Sequence, residues 1–186
     1  MSKVLIPLAK GFEEIEAVTI IDVLRRANID VLISSLSDNF LVEGANAITI
    51  QAQHNIKDLR SDDIDMIILP GGAEGTFALA EDINVQNFLK EMDAKGKNIG
   101  AICAAPYALH KAGVLKQNYT CYPSFETKIK EEGFQGDALM VVEDENIITS
   151  RGPATAICFA LEIVKKLQGE KVYQNVKDGL LASYCK

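Results

Sequence analysis

Gly100-Ala101-Ile102-Cys103-Ala104-Ala105-Pro106 carries a cysteine between an apolar run and a set of small residues closed by a proline. The run Asn98 to Ile102 reads as a short strand, and the residues after Cys103 read as a sharp turn and a helix start. Small neighbours let the backbone bend tightly and leave a nucleophile exposed at the end of a sheet. A helix N-terminus behind the cysteine offers free N–H groups and the positive end of a dipole. Both favour thiolate, the reactive form of cysteine. A structural thiol buried behind a strand has the same local sequence, since free cysteine is among the most buried residue types.

A carboxyl group is the natural companion for such a thiol. The spacing predicts a helix over Glu13 to Ala27, with acidic residues in its first turn and Arg25-Arg26 in its last, as the helix dipole prefers. Ala17, Ile20, Ile21, Val23, Leu24 and Ala27 share one apolar arc. Glu16 falls on that arc one turn before Ile20, and Glu13 falls on it at the helix start. A carboxyl facing a core needs partners or takes up a proton; a rim position would leave it solvated and idle. The only histidines are His54 and His110. His110 follows Cys103 by two helical turns, about 10 Å of rise, too far to serve as its base along one helix. His54 lies in a polar, exposed stretch.

These groups need a scaffold. Lys3 to Leu8 is a nearly continuous apolar run, as in a strand covered on both faces; Pro7 must sit near its end because it cannot donate to a ladder. Asp30 to Leu36 and Asp65 to Leu69 read as further strands. Phe40 to Ile50 reads as a hairpin or flap about Gly44. Pro70-Gly71-Gly72-Ala73-Glu74-Gly75 is a glycine-rich turn at a strand end, where backbone N–H groups can approach a ligand closely. It lacks the Gly-Lys-Ser/Thr of a P-loop and the G-x-G-x-x-G of a dinucleotide site. Val85 to Met92 and Ala105 to Lys111 read as helices stopped by Gly96 and Gly113. Tyr119 to Pro123 is strand-like, and Ser124 is placed to cap a helix reaching Glu132. Met140 to Glu143 and Ile147 to Ser150 read as strands about the turn Asp144 to Asn146. Arg151-Gly152-Pro153 opens a long helix to about Leu167, Arg151 either binding an anion or closing a strand. Lys171 to Lys186 suits a last helix.

Strands alternating with helices predict an α/β sandwich on a mostly parallel sheet, folded as a single domain over 1–186. Ligands bind beyond the strand carboxyl ends in such sheets. The Gly71-Gly72 turn, the Cys103 elbow and the start of the first helix can all face one crevice there. The net charge of −7 excludes generic nucleic-acid binding, which needs a basic surface. No apolar run approaches a membrane span. No signal peptide is recognisable at the N-terminus, and the cytoplasm is expected. Cys103, Cys121, Cys158 and Cys185 form no C-x-x-C pair, and free thiols are expected in a reducing compartment.

Four stretches together resemble the DJ-1/ThiJ/PfpI superfamily, and its DJ-1-like branch most. They are Leu8-Ala9-Lys10-Gly11-Phe12-Glu13-Glu14-Ile15-Glu16, Leu69-Pro70-Gly71-Gly72, Ala101-Ile102-Cys103-Ala104-Ala105-Pro106 and Thr149-Ser150-Arg151-Gly152-Pro153. The resemblance covers essentially the whole chain. It implies a flavodoxin-like (Rossmann-like) α/β sandwich, a homodimer and a site without cofactor or metal. It makes Cys103 the reactive cysteine and selects Glu16 over Glu13 as its acid/base partner. Gly72 and Ala104 then supply backbone N–H groups to an oxyanion, and Glu13, Tyr122, Arg151 and Asn46 are candidate pocket residues. Tyr122 precedes Pro123 where some relatives carry histidine, which removes a Cys–His dyad. Ala104 stands where the protease-like branch has histidine, which counts against peptidase activity. Asn46 replaces an anion-binding arginine of the relatives. The implied activity is on α-oxoaldehydes, either as a glyoxalase III-type conversion of methylglyoxal to lactate or as a deglycase on glycated amines and thiols. The rival is an oxidative-stress sensor or chaperone acting through a Cys103 sulfinate. A role in thiamine thiazole biosynthesis attaches to the family name alone.

Overall fold

The computed structural model describes residues 1–130 and 132–185. Its centre is a seven-stranded sheet. The strands are β1 (Lys3–Leu8), β2 (Asp30–Ser35), β5 (His54–Asn55), β6 (Met66–Leu69), β7 (Asn98–Ile102), β8 (Val141–Asp144) and β9 (Ile147–Ser150), with β3 (Leu41–Glu43) and β4 (Thr49–Gln51) forming a separate antiparallel hairpin. The sheet order is β5-β2-β1-β6-β7-β9-β8, parallel throughout except where β8 pairs antiparallel with β9. Pro7 pairs with Ser34 near the end of β1, beyond the last β6 pairing at Leu5, so its missing N–H interrupts nothing.

The buried runs of β1, β6 and β7 feed two cores, one on each face of the sheet. Val4, Ile6, Leu8, Met66 and Ile68 point toward α1 (Glu14–Arg26) and α6 (Ala156–Gln168). Leu5, Ile67, Leu69, Ile99 and Ala101 point toward α2 (Ala73–Glu81), α3 (Ile83–Ala94) and α4 (Pro106–Ala112). Alternation along strands with both faces covered produces this division. Gly100 makes room on the α6 face, where a Cβ would meet Phe159 at 3.2 Å. The architecture is the flavodoxin-like sandwich expected.

Local differences have local causes. Tyr119 to Pro123 forms no strand among the described residues; an isolated bridge joins Tyr119 to Phe134. Ser124 caps nothing, because its φ of 77° turns the chain left-handed, and the helix there is one turn, α5 (Glu126–Ile129); the expected stretch to Glu132 passes through Glu131, outside the described residues. Pro153–Thr155 forms a 3-10 turn before α6. The last helix, α7 (Glu170–Gly179), stops well before Lys186, which is itself outside the described residues. The largest departure concerns the thiols: Cys158 and Cys185 form a disulfide, and only Cys103 and Cys121 are free. Folding brings α6 and the C-terminal segment together, a proximity that spacing cannot reveal.

Candidate functional site

The sheet order reverses between β1 and β6. The connection from β1 runs outward to β2, whereas β6 and β7 lie on the other side. A crevice opens at such a switch point beyond the strand carboxyl ends. Three turns border it: Ala9 to Glu13 after β1, Pro70 to Gly72 after β6, and Cys103 to Ala105 after β7.

Cys103 holds a φ of 64°, rare for a residue with a side chain. Its N–H donates to the Ser150 carbonyl at 3.0 Å, and its carbonyl accepts from the Tyr122 N–H at 2.8 Å. These two bonds hold the elbow in a conformation that the isolated peptide would not keep. Cys103 as a residue is 7% exposed.

Glu16 is fully buried, in the first turn of α1, at its crevice-facing end. Its Oε2 accepts from the Gly71 N–H at 2.8 Å, while its Oε1 is buried with no hydrogen-bond partner among the described residues. Burial pushes the carboxyl up from its ordinary 4.5 to about 7; the Gly71 N–H and the Cys103 thiol oppose that rise, and the neighbouring Glu13 charge adds to it. Glu13 caps the helix, accepting from the Glu16 N–H at 2.7 Å, and its own N–H donates to the Gly71 carbonyl at 2.9 Å. The loop and the helix start are thereby locked to one another. Burial also raises the Glu13 carboxyl.

The N–H groups of Gly72 and Ala104 both act on the Cys103 sulfur and pull its pKa down. Burial pushes it up more strongly, and the Glu16 carboxylate adds to that rise, so the thiol ends well above its ordinary range. This corrects the expectation of a depressed thiol: a turn's worth of helix dipole does not offset desolvation beside a like charge.

The expected residues divide into two sets. Cys103, Glu16, Glu13, Gly72 and Ala104 meet in the crevice. Tyr122 borders it through its backbone, but its ring faces Gly152 and a neighbouring cavity of about 300 Å³ that Arg151 and Pro153 also line. Arg151 pairs with Asp137 at 2.8 Å and lies over the Phe134 ring. Asn46 is turned to the flank of α1: its backbone N–H and its Nδ2 both donate to Glu14. Burial raises the Glu14 carboxyl, but those bonds outweigh it and hold the group below its ordinary value. Among the described residues no cluster of three or more His, Cys, Asp or Glu side chains is placed to hold a metal ion.

Gly71 is the residue that sequence reasoning underweighted. A Cβ there would lie 2.5 Å from the Cys103 Cβ and 2.7 Å from Glu16 Oε2. Gly72 is needed for a different reason, with a φ of 89° and only 2.2 Å between a built Cβ and the Gly11 carbonyl. The adjacent glycines were visible as a motif; that one of them makes the contact between thiol and carboxyl was not.

A family model, the DJ-1/PfpI family, matches residues 2–166. The chain belongs to the DJ-1/PfpI family. Protein dj-1beta of Drosophila melanogaster is 40% identical over 186 residues, covering 99% of this chain and 100% of that protein. The crystal structure of Drosophila melanogaster DJ-1beta superposes with a TM-score of 0.93 at 39% identity, covering 97% of this chain and 98% of that one. A Caenorhabditis elegans member named glutathione-independent glyoxalase DJR-1.2 is 37% identical over 171 residues, 91% of either chain. A Toxoplasma gondii structure described as DJ-1, oxidized, has a TM-score of 0.88 at 34% identity, covering 97% of this chain and 98% of that one. Within this DJ-1/PfpI chain, the four sequence stretches that carry the resemblance map onto the crevice: three supply its turns, and Thr149 to Pro153 lies immediately behind the cysteine.

Proposed function

We propose that the protein is a cofactor-independent cysteine enzyme for α-oxoaldehydes, folded as a single domain. One observation carries the reading. A buried carboxyl with a pKa near 7 and one unpartnered oxygen lies beside a thiol whose sulfur faces two backbone N–H groups. A group titrating near neutrality can both accept and return a proton. The glyoxalase name of the Caenorhabditis elegans relative supports the choice of substrate.

As the Cys103 sulfur attacks the aldehyde carbon of methylglyoxal, the thiol proton passes to the Glu16 carboxylate. The new oxyanion takes the N–H groups of Gly72 and Ala104, which are already fixed in place. Glu16 passes the thiol proton on to the oxyanion, which gives the hemithioacetal and restores the carboxylate. Glu16 then removes the proton from the former aldehyde carbon, giving an enediolate, and a proton is returned to the adjacent carbon. The product is a lactoyl thioester on Cys103. Water hydrolyses it to lactate and restores the thiol, so the sequence is an internal redox isomerisation that needs no external oxidant. The same adduct formed on a glycated amine or thiol gives the deglycase reaction.

Methylglyoxal loss and lactate formation without glutathione test this. Turnover abolished by both Cys103→Ser and Glu16→Gln is expected. Full turnover in the Cys103→Ser protein would overturn it.

A second reading is favoured by the free Glu16 Oε1. Protonated, that oxygen would donate to one oxygen of a Cys103 sulfinate while Gly72 and Ala104 N–H groups hold the other, as suits an oxidative-stress sensor or chaperone. Mass spectrometry after mild peroxide separates the two: selective gain of two oxygens at Cys103, limited by Glu16→Leu, with no lactate from methylglyoxal, selects the sensor.

The surface supports a homodimer. Ile15 and Val18 are exposed on one side of α1, and Ile48 is exposed on the hairpin that Glu14 ties to that helix. Val18→Glu is expected to yield a monomer by light scattering. No helix among the described residues is long and apolar enough to cross a membrane; action in the cytoplasm is part of the proposal.

A further inference from the structure

The disulfide lies outside the Cys103 crevice, and the proposed chemistry makes no use of it. It joins the first turn of α6 to the segment beyond α7, closing 27 residues of chain. Cys158 and Cys185 are 4% and 2% exposed. Cys158 nevertheless lines a cavity of about 510 Å³ with Met140, Val141, Glu162 and Tyr184. Leu139 and Met140 also line the cavity beside Tyr122 and Pro153, so the two cavities adjoin. A thiol of small cross-section can therefore approach Cys158 from this cavity.

The hold on the C-terminal segment is otherwise thin. Tyr173 and Val176 are the buried residues of α7, and beyond them only Ala182 and Cys185 are buried among the described residues. Leu181 is 86% exposed. The N–H groups of Leu181, Ala182 and Cys185 donate to Asp178, Lys177 and Ala182 carbonyls, so these bonds return to α7 or to the segment itself. Apart from the packing of Leu180 and Ala182 against the core, the covalent bond is what ties this segment to α6.

We propose that Cys158 and Cys185 are a second redox site, a reversible dithiol–disulfide pair that fastens the C-terminal segment when oxidised and frees it when reduced. The reductant is a dithiol. Its thiolate attacks the Cys158 sulfur from the cavity, the Cys158–Cys185 bond breaks, and Cys185 leaves as a thiolate that takes up a proton. The second thiol of the reductant then displaces Cys158 from the mixed disulfide. Two electrons and two protons pass to the pair, and the reductant departs as its own disulfide. Cys158 stays fixed in α6 while Cys185 moves with its segment. In a compartment that keeps thiols reduced, such a bond is transient and responds to the thiol balance, whereas Cys103 has no part in it.

The probe is dithiothreitol on the folded full-length protein purified without reductant. Alkylation and mass spectrometry are expected to tag only Cys103 and Cys121 beforehand, and Cys158 and Cys185 as well after native reduction. Trypsin cleavage after Lys177 should then become at least about tenfold faster, as for a segment whose local opening is no longer tethered. Reoxidation with oxidised glutathione should restore the slow rate. Cys185→Ser should be cut at the fast rate with or without dithiothreitol, and Cys103→Ser should follow the wild type. The wild-type arms stand even if a variant fails to fold. Four alkylatable thiols before reduction, no native reduction of the pair, or released thiols with unchanged cleavage would each overturn the proposal.

Discussion

Replacing Glu16 by glutamine should change how stability depends on pH, and the size follows from the burial of the carboxyl. In the folded chain the group titrates near 7 against an ordinary 4.5, chiefly because it is buried. The native state therefore keeps a proton that the unfolded chain releases. Stability from this group is fully present below pH 4.5, falls as pH rises, and is lost above about pH 7. At about 1.4 kcal/mol per pH unit the loss amounts to about 3 kcal/mol. Glutamine has nearly the same shape, can still accept from the Gly71 N–H and never ionises. The variant should gain about 3 kcal/mol relative to wild type between pH 4.5 and pH 8. In a chain of this length that corresponds to about 6–12 °C in Tm. Thermal unfolding of both proteins at pH 4.5, 6 and 8 measures it. Parallel profiles would refute the reasoning, because they would mean that Glu16 pays no desolvation cost when ionised. The comparison with the variant also removes Glu13 and Glu162, whose carboxyls burial raises as well.

The same titration should appear in catalysis: kcat/KM for methylglyoxal is expected to rise with pH through an apparent pKa near 7, and a flat profile from pH 5 to 8 would exclude Glu16 as the base. Gly71→Ala should abolish turnover while circular dichroism stays native, since its Cβ would sit 2.5 Å from that of Cys103; overpacking of this kind costs about 1–3 kcal/mol. Glu14→Ala should loosen the hairpin, because it removes the acceptor of the Asn46 N–H and side-chain bonds, at a cost of about 0.5–1.5 kcal/mol since the exposed Asn46 can turn to water; faster hydrogen exchange over residues 41–51 would register it. Cys158→Ser should lower stability by about 3.5 kcal/mol, the chain-entropy value for a loop of 27 residues, as read by urea unfolding without reductant.

Much of this molecule is legible one element at a time. Lys3 to Leu8, Asp65 to Leu69 and Asn98 to Ile102 are apolar on both faces, and only central strands of a sheet covered on both sides can bury such runs. The arc on Glu13 to Ala27 sets the inward face of α1, and Glu16 lies on it, which left a core-facing or a rim position open; the fold buries it. Gly113 ends α4 with a φ of 76°, as a glycine after a helix does. These are properties of short windows, where side-chain spacing and backbone sterics act without reference to the rest of the chain.

The misread parts depend on partners far away in sequence. Tyr119 to Pro123 has strand-like residues, but Thr120 donates its N–H to the Thr149 hydroxyl and Tyr122 donates to Cys103, so no neighbouring strand is left to pair with. His54–Asn55 became an edge strand because Ser34 and Ser35 stand beside it. The thiol of Cys103 was expected to be acidic from its turn alone; a carboxylate brought from α1 and the closure of the crevice around both reverse that direction.

The sequence by itself determined which residue types end each strand and which side chains face inward, because those follow from local periodicity and steric rules. Tertiary structure alone decided that Gly71, 55 residues from Glu16, donates to its carboxyl, that Asn46 serves Glu14, and that Cys158 finds Cys185. Those pairings require the sheet to bring distant turns to one end and α7 to pack on α6. Hydrogen bonds, proton affinity and disulfides act over a few ångströms, and only the folded chain sets which groups come that close.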